Sequence, residues 1–407
     1  MLLLYFLWRS RKDPAYRQRL PERFSLGLRK RGLQPGGIVV HAVSVGEVVA
    51  ATPLIKALQQ QYPQLTLTIT CTTPTGSARI VSTFADSVYH CYLPLDTPGA
   101  VQRFLNKLQP QAVIVLETEL WPNLLQQCRR ALIPAIVVNA RLSARSARGY
   151  RRYYAFSRLA LDNISVLLAQ DSATARRFKA LGCKAQLSVC GNLKYDMAVP
   201  VHIDSLVAQF RPQLSGRKVW VAGSTHAGED ESVLAAHRLL LQQQPQALLI
   251  LVPRHPERFA SVQQLCVKEG FATCRRSLGE APDAATQVLL GDTMGELLFL
   301  YALADSAFVG GSLVPNGGHN LLEPAALARP VLSGPHLFNF LEIATMLREA
   351  GAMCEVDEAQ GLATEVRRLI ELPRDALKMG EAGVAVMRAN QGALQRLLDG
   401  LGNLLKV

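Results

Sequence analysis

The chain has 407 residues, 49% hydrophobic and 19% charged, a composition that buries large cores and excludes a disordered protein, and its length favours two or more domains. The formal charge of +12 is uneven: residues 1–199 hold 26 Lys and Arg against 10 Asp and Glu, whereas residues 200–407 hold 18 against 22, so a basic partner surface belongs to the first half. Eight scattered cysteines, without a CxxC pair or zinc-like spacing, read as reduced thiols in a cytoplasmic protein.

The chain opens on the apolar run Met1–Trp8, far short of the roughly 20 residues that span a bilayer. Behind it, Arg9–Arg31 holds nine basic and two acidic residues. Residues 1–31 are expected to associate with a membrane, the apolar residues as an interfacial wedge and the basic ones on an anionic leaflet. A first helix packed on its own domain accounts for the same pattern.

Short apolar, β-branched runs then alternate with longer amphipathic stretches, the rhythm of βαβ units around parallel sheets. Strands are predicted at Ile38–Val43, Leu65–Cys71, Ala112–Leu116, Ala135–Asn139, Val166–Ala169 and Leu187–Val189, with helices such as Val48–Gln61, Gln102–Leu108 and Ala173–Leu181 between them. Residues 194–216, with Pro200, Pro212 and Gly216, read as a linker. The rhythm resumes with strands at Val219–Gly223, Leu248–Val252, Gln287–Leu290, Ser306–Val309 and Val331–Leu332. The expected domains are 32–197 and 198–375, with a helical segment 376–407 returning toward the first.

Ligands of open α/β sheets bind at the carboxyl ends of strands, so the loops there are the candidate sites. Ser44-Val45-Gly46-Glu47 follows the first strand and also reads as a capping box. Glu117-Thr118-Glu119 precedes Leu120-Trp121-Pro122, where burial can raise a carboxyl pKa toward that of a working base and capping is the plain alternative. No Asp-x-Asp occurs and no histidine neighbours this pair in sequence, so no metal is expected. Thr72–Gly76, with Thr73, Thr75 and Gly76, offers hydroxyls and N–H groups at a helix start. Arg141 and Ser143 open a basic stretch reaching Arg152, suited to phosphates or to a solvated helix face.

In the second half the strand-end loops are Gly223–His226, with Ser224 and Thr225; Pro253–Pro256, with Arg254 and His255; and Gly291–Glu296, with Met294, Gly295 and Glu296. Gly310-Gly311-Ser312, followed by Gly317-Gly318-His319-Asn320 and Glu323, reads as a backbone cradle for phosphate with a carboxylate for a ribose. No G-x-G-x-x-G follows the first strand and no GxxxxGK[ST] occurs, which disfavours an NAD-linked dehydrogenase and a P-loop NTPase.

The segments SVGE (44–47), TTPTG (72–76), ETELWPN (117–123), NARLS (139–143), PRHPERF (253–259), GDTMGEL (291–297) and GGHN (317–320) together resemble the Kdo transferases, glycosyltransferases of lipopolysaccharide assembly that use 3-deoxy-D-manno-octulosonic acid. The resemblance implies a GT-B-type fold, two Rossmann-like domains whose parallel sheets face a central cleft. It implies inverting transfer of Kdo from CMP-Kdo to a lipid A precursor (lipid IVA), without metal, cofactor or nucleic acid, at the cytoplasmic face of the bacterial inner membrane. By the same resemblance Glu47 is the general base and Glu117 or Glu119 the second essential carboxylate. Arg254, Met294, Gly295, Asn320 and Glu323 hold CMP, and Thr72–Gly76, Arg141 and Ser143 meet the acceptor or the donor carboxylate.

The apolar start is shorter than the near-spanning anchor of many such enzymes, which favours peripheral attachment, and Leu321 stands where the family has proline. Two other classes remain open at this point: a nucleotide-sugar epimerase of the same architecture, and a non-catalytic binder of anionic lipid or nucleic acid.

Overall fold

The structure, a computed structural model, describes residues 14–28 and 33–402. The expected wedge Met1–Trp8, with Arg9, Arg11 and Lys12, lies outside the described residues. The described chain divides into two compact units, one running to Met197 and resuming at Asn390, the other spanning Ala198–Ala389.

The first unit holds a seven-stranded parallel sheet, ordered β3-β2-β1-β4-β5-β6-β7. Its strands are β1 (Ile38–His41), β2 (Leu67–Cys71), β3 (Tyr89–Tyr92), β4 (Ala112–Leu116), β5 (Ala135–Ala140), β6 (Val166–Ala169) and β7 (Gln186–Val189). Strands β1, β4 and β5 are buried at every position and apolar but for His41 and Asn139, as in a sheet covered on both faces. Ile38 and Val40 pack with Leu54, Leu58, Ile80 and Leu397, while Val39 packs on the other face with Phe104, Leu125 and Leu161. The helix Ala393–Gly402 thus returns to the first unit, where the Asp196 carboxylate accepts the N–H groups of Gly392 and Leu394 at 2.6 and 2.5 Å.

The second unit repeats the plan in the order β10-β11-β9-β8-β12-β13-β14. Its strands are β8 (Val219–Thr225), β9 (Leu248–Pro253), β10 (Thr273–Arg275), β11 (Val288–Leu290), β12 (Ser306–Val309), β13 (Val331–Ser333) and β14 (Met353–Glu355). The first strand in sequence is the middle one in the second sheet and lies next to the middle in the first, and the connections reverse direction beside it, at β1/β4 and at β8/β12. Such switch points open a crevice at the carboxyl ends of the strands.

Strands β3, β10 and β14 escape the sequence pattern, and all three are sheet edges. An edge strand pairs on one side only and tolerates polar residues, and YHCY, TCR and MCE contain no apolar run. Residues 194–216 are also not a bare linker: the helix His202–Phe210 and the 3-10 turn Arg211–Leu214 bury Ile203, Phe210 and Leu214 in the second unit. No helix among the described residues is long and apolar enough to cross a membrane.

Candidate functional site

In the first unit the helix Val45–Gln61 starts directly after β1, which places Glu47 in its first turn. Ser44 makes no side-chain cap. Glu47 instead turns back: its carboxylate accepts the Val43 N–H at 2.9 Å and the Ser44 hydroxyl at 3.3 Å. Burial, with the nearby charges of Glu117 and Glu119, pushes the Glu47 carboxyl up to about 8 against the hydrogen bonds from Val43 and Ser44. The β1/β4 switch therefore gathers all three glutamates. Burial first, then the Glu117 charge, also raises Glu119.

Glu117 caps the end of β4 with φ +54°, a left-handed conformation that costs a non-glycine residue about 1–2 kcal/mol. Such strain collects where a side chain must be aimed. Its carboxylate lies 3.9 Å from Lys194, and the Thr118 hydroxyl donates to the Arg141 carbonyl, tying this loop to the basic stretch. His41 meets Trp121, two residues beyond the pair, edge-on at 5.9 Å. Complete burial lowers it to about 3, so it is neutral and no acid or base. His41 Nε2 and Trp121 Nε1 are buried without hydrogen-bond partners.

The Thr72–Gly76 loop is organised from the N-terminal segment. Buried Arg23 donates to the Thr72 carbonyl at 2.9 Å, Thr72 donates N–H and hydroxyl to the Val43 carbonyl at 3.1 and 3.2 Å, and Val43 donates to Glu47. Arg19 binds both oxygens of Glu22 at 2.7 Å and lies over the Tyr92 ring. These two arginines, expected on a membrane, serve the interior of their own unit. Thr73 caps its helix by accepting the Gly76 N–H at 3.1 Å, and a Cβ at Gly76 would stand 2.9 Å from that hydroxyl. Thr75 is exposed; Ser143 caps the helix Ala144–Arg152, accepting the Ser146 N–H at 3.0 Å.

In the second unit the Gly310–Ser312 cradle is already filled. Glu229, fully buried, accepts the N–H groups of Gly311, Ser312 and Leu313 at 2.6–2.8 Å and that of His226 at 2.9 Å. This corrects the phosphate reading of the first glycine pair: the anion bound there is the chain's own. Gly318 donates to the Gly311 carbonyl at 2.7 Å, and side chains at Gly317 or Gly318 would collide with Asn339 or Leu337. The helix after GGHN is only Leu322–Ala326.

Beside this latch three histidines converge. His226 and His319 place their Nε2 atoms 2.7 Å apart, so one proton bridges them, and the His255 ring lies 5.2 Å from that of His226. Burial first, then Arg254 and the other imidazoles, holds His319 at about 3. Arg254 is exposed, near enough to Glu323 to lower its carboxyl against a dominant upward shift from burial, and Asn320 Nδ2 donates to Glu323 at 3.3 Å.

Not every expected donor residue is equally free. Thr225 is fully buried and donates to Asp230 at 2.6 Å; Ser224 is nearly buried, at φ +58°. Glu296 is held by Arg276 at 2.7 Å and by the Thr293 hydroxyl, whereas Met294 is 65% exposed beside Gly295 at φ +86°. His41, Arg23 and Glu229 were not site candidates in the sequence, and His226 entered only as the last residue of a candidate loop.

Residues 18–197 match the family described as 3-deoxy-D-manno-octulosonic-acid transferase (kdotransferase). The 3-deoxy-D-manno-octulosonic acid transferase of Haemophilus influenzae is 48% identical over 98% of this chain and 94% of its own length. That of Bordetella pertussis is 36% identical over 98% and 95%. The solved UDP-GlcNAc 2-epimerase of Neisseria meningitidis, bound to UDP-GlcNAc, superposes with a TM-score of 0.58 at 16% identity, over 89% of this chain and 100% of that one. At that identity the likeness speaks for the fold alone.

Proposed function

This chain belongs to the 3-deoxy-D-manno-octulosonic acid (Kdo) transferases, and from that premise we propose how its two units divide one transfer. Kdo passes from CMP-Kdo to a hydroxyl of a lipid A precursor (lipid IVA) in lipopolysaccharide assembly. The first unit takes the acceptor and the second the donor. The acceptor oxygen attacks the anomeric carbon, Glu47 takes its proton, the bond to the CMP phosphate breaks, and configuration inverts.

The observation that carries this reading is the convergence of three carboxylates at the β1/β4 switch, with Glu47 raised to about 8. A general base works best with a pKa near the operating pH. On the donor side Arg254, His255, His319, Asn320 and Glu323 receive CMP-Kdo, with Met294 and Gly295 against the nucleotide. Because Glu229 uses the N–H groups of the glycine cradle, the charge on the leaving phosphate falls to Arg254. Thr75 and Arg141 meet the acceptor or the donor carboxylate, positioned by Thr73, Gly76 and Ser143.

The transfer is metal-independent, and the enzyme acts peripherally at the cytoplasmic face of the inner membrane. Incubation with CMP-Kdo and a lipid A precursor, each omitted in turn, tests the reading by mass spectrometry of the lipid. Product without added donor, or none with both, sinks it. Complete loss of turnover after thorough EDTA treatment overturns metal independence.

A further inference from the structure

The helices Ala144–Arg152 and Tyr154–Leu161 carry an unusual surface. The first buries none of its residues, and positions 151–156 are exposed without a break. Among the described residues four aromatic side chains are strongly exposed, and three of them, Tyr153 (65%), Tyr154 (44%) and Phe156 (63%), lie here, with Leu159 at 53%. Aromatic side chains left in water at this density mark a surface that is covered in use.

The charge around them has one sign. No acidic residue occurs between Glu119 and Asp162. Arg158 pairs with Asp162 at 3.0 Å and Arg152 leans over the Tyr153 ring, while Arg145, Arg148 and Arg151 are exposed. Exposed aromatics beside arginines suit the boundary between lipid headgroups and acyl chains.

The surface is also anchored to the candidate site. The Ser157 hydroxyl bridges the carbonyls of Tyr150 and Tyr153 at 2.9 and 3.1 Å, locking the two helices together, and Thr118 donates to the Arg141 carbonyl. The alternative contact near the N-terminus has spent Arg19 and Arg23 on internal hydrogen bonds.

We propose that the surface formed by Arg145, Arg148, Arg151, Tyr153, Phe156 and Leu159 docks on an anionic lipid bilayer and brings the acyl-anchored acceptor to the three glutamates. This rests on the lipid acceptor proposed above. The arginines meet the anionic headgroups and the aromatic rings enter the interface, so the acceptor's sugar reaches the protein while its acyl chains stay in the bilayer.

The test is sedimentation of the full-length protein with vesicles of phosphatidylglycerol and phosphatidylcholine, or of phosphatidylcholine alone. At about fivefold per charge, R145Q/R148Q/R151Q loses roughly 100-fold in anionic-vesicle binding. Phe156→Ser with Leu159→Ser weakens binding but keeps its salt dependence. Both variants retain intact-protein rates on a water-soluble, acyl-free acceptor, a readout independent of docking. Vesicle binding unchanged in both variants overturns the proposal, as does an equal loss of transfer to the acyl-free acceptor. Absence of transfer by the intact protein counts against the function alone, because vesicle binding is read without turnover.

Discussion

Glu229 and Ser312 follow different strands of the second sheet, β8 and β12, and the Glu229 carboxylate accepts the Ser312 N–H at 2.8 Å across the switch point. With the N–H groups of Gly311, Leu313 and His226 on the same carboxylate, an internal anion holds together two loops of the proposed donor site. Glu229→Ala strands these donors in a buried place, with an expected loss of about 3–5 kcal/mol. Urea unfolding measures it, and a loss under about 1 kcal/mol would show that the latch is dispensable.

Arg254 and Glu323 are proposed to act on the donor. Arg254→Ala and Glu323→Ala are expected to raise the KM for CMP-Kdo while leaving the KM for acceptor unchanged. Losing a charge-assisted hydrogen bond corresponds to about 1.5–3 kcal/mol, or roughly 10- to 100-fold. Initial rates with each substrate varied in turn decide it, and equal weakening for the acceptor would mean that the roles of the two units are wrongly divided.

Arg23 reaches Glu47 through Thr72 and Val43, and we propose it as a positioning residue. Arg23→Lys keeps a charge but cannot hold the planar guanidinium geometry, and Arg23→Met leaves the Thr72 carbonyl unpaired. Both are expected to lower kcat more than they change either KM and to displace the pH midpoint of the rate. A variant that loses thermal stability with an unmoved pH profile would reduce Arg23 to a structural role.

The central strands were legible because β4 and β9 are unbroken apolar runs and β1 and β5 are apolar but for His41 and Asn139, and so were the loops that follow them. The polar edges β3, β10 and β14 were not. Loops can be located from sequence, but a hydrogen-bond partner distant in the chain cannot: Glu229 meets Ser312, His226 meets His319 and Arg23 meets Thr72 only once the sheets exist. Glu47 shows the remaining limit. The Ser44-x-x-Glu47 spacing suggested a capping box, yet Ser44 does not cap, and the carboxyl is raised by burial in the folded sheet, with the charges of Glu117 and Glu119, far along the chain, adding to it.

Burial raises Glu47 most, and the charges of Glu117 and Glu119 add to it. Glu117→Gln and Glu119→Gln are therefore expected to move the ascending limb of the pH–rate profile to lower pH, whatever they do to its plateau. Whichever of the two contacts the reacting hydroxyl also loses plateau rate, by about 100-fold or more. Profiles that keep the intact protein's midpoint in both variants would remove the electrostatic coupling from the account.

Glu47 itself gives the sharpest test, because its catalytic and capping roles predict opposite signs. As a base it works only as the carboxylate, so kcat/KM should rise about tenfold per pH unit below about 8 and level above. The stability sign follows from the same shift. The folded state holds this proton to about 8 while the unfolded chain releases it near 4.5, so between those values the native state binds more protons and stability falls as pH rises. The slope is at most about 1.4 kcal/mol per pH unit. Glu47→Gln removes the titration, and its amide can still accept the Val43 N–H. The variant should lose turnover by at least about 100-fold yet gain stability over the intact protein at pH 8, with little difference near pH 5. A capping carboxylate would do the reverse: the Gln variant would remain active and melt lower, by about 1 kcal/mol. Thermal unfolding of both proteins at pH 5 and pH 8, beside transfer rates over the same range, separates the two roles.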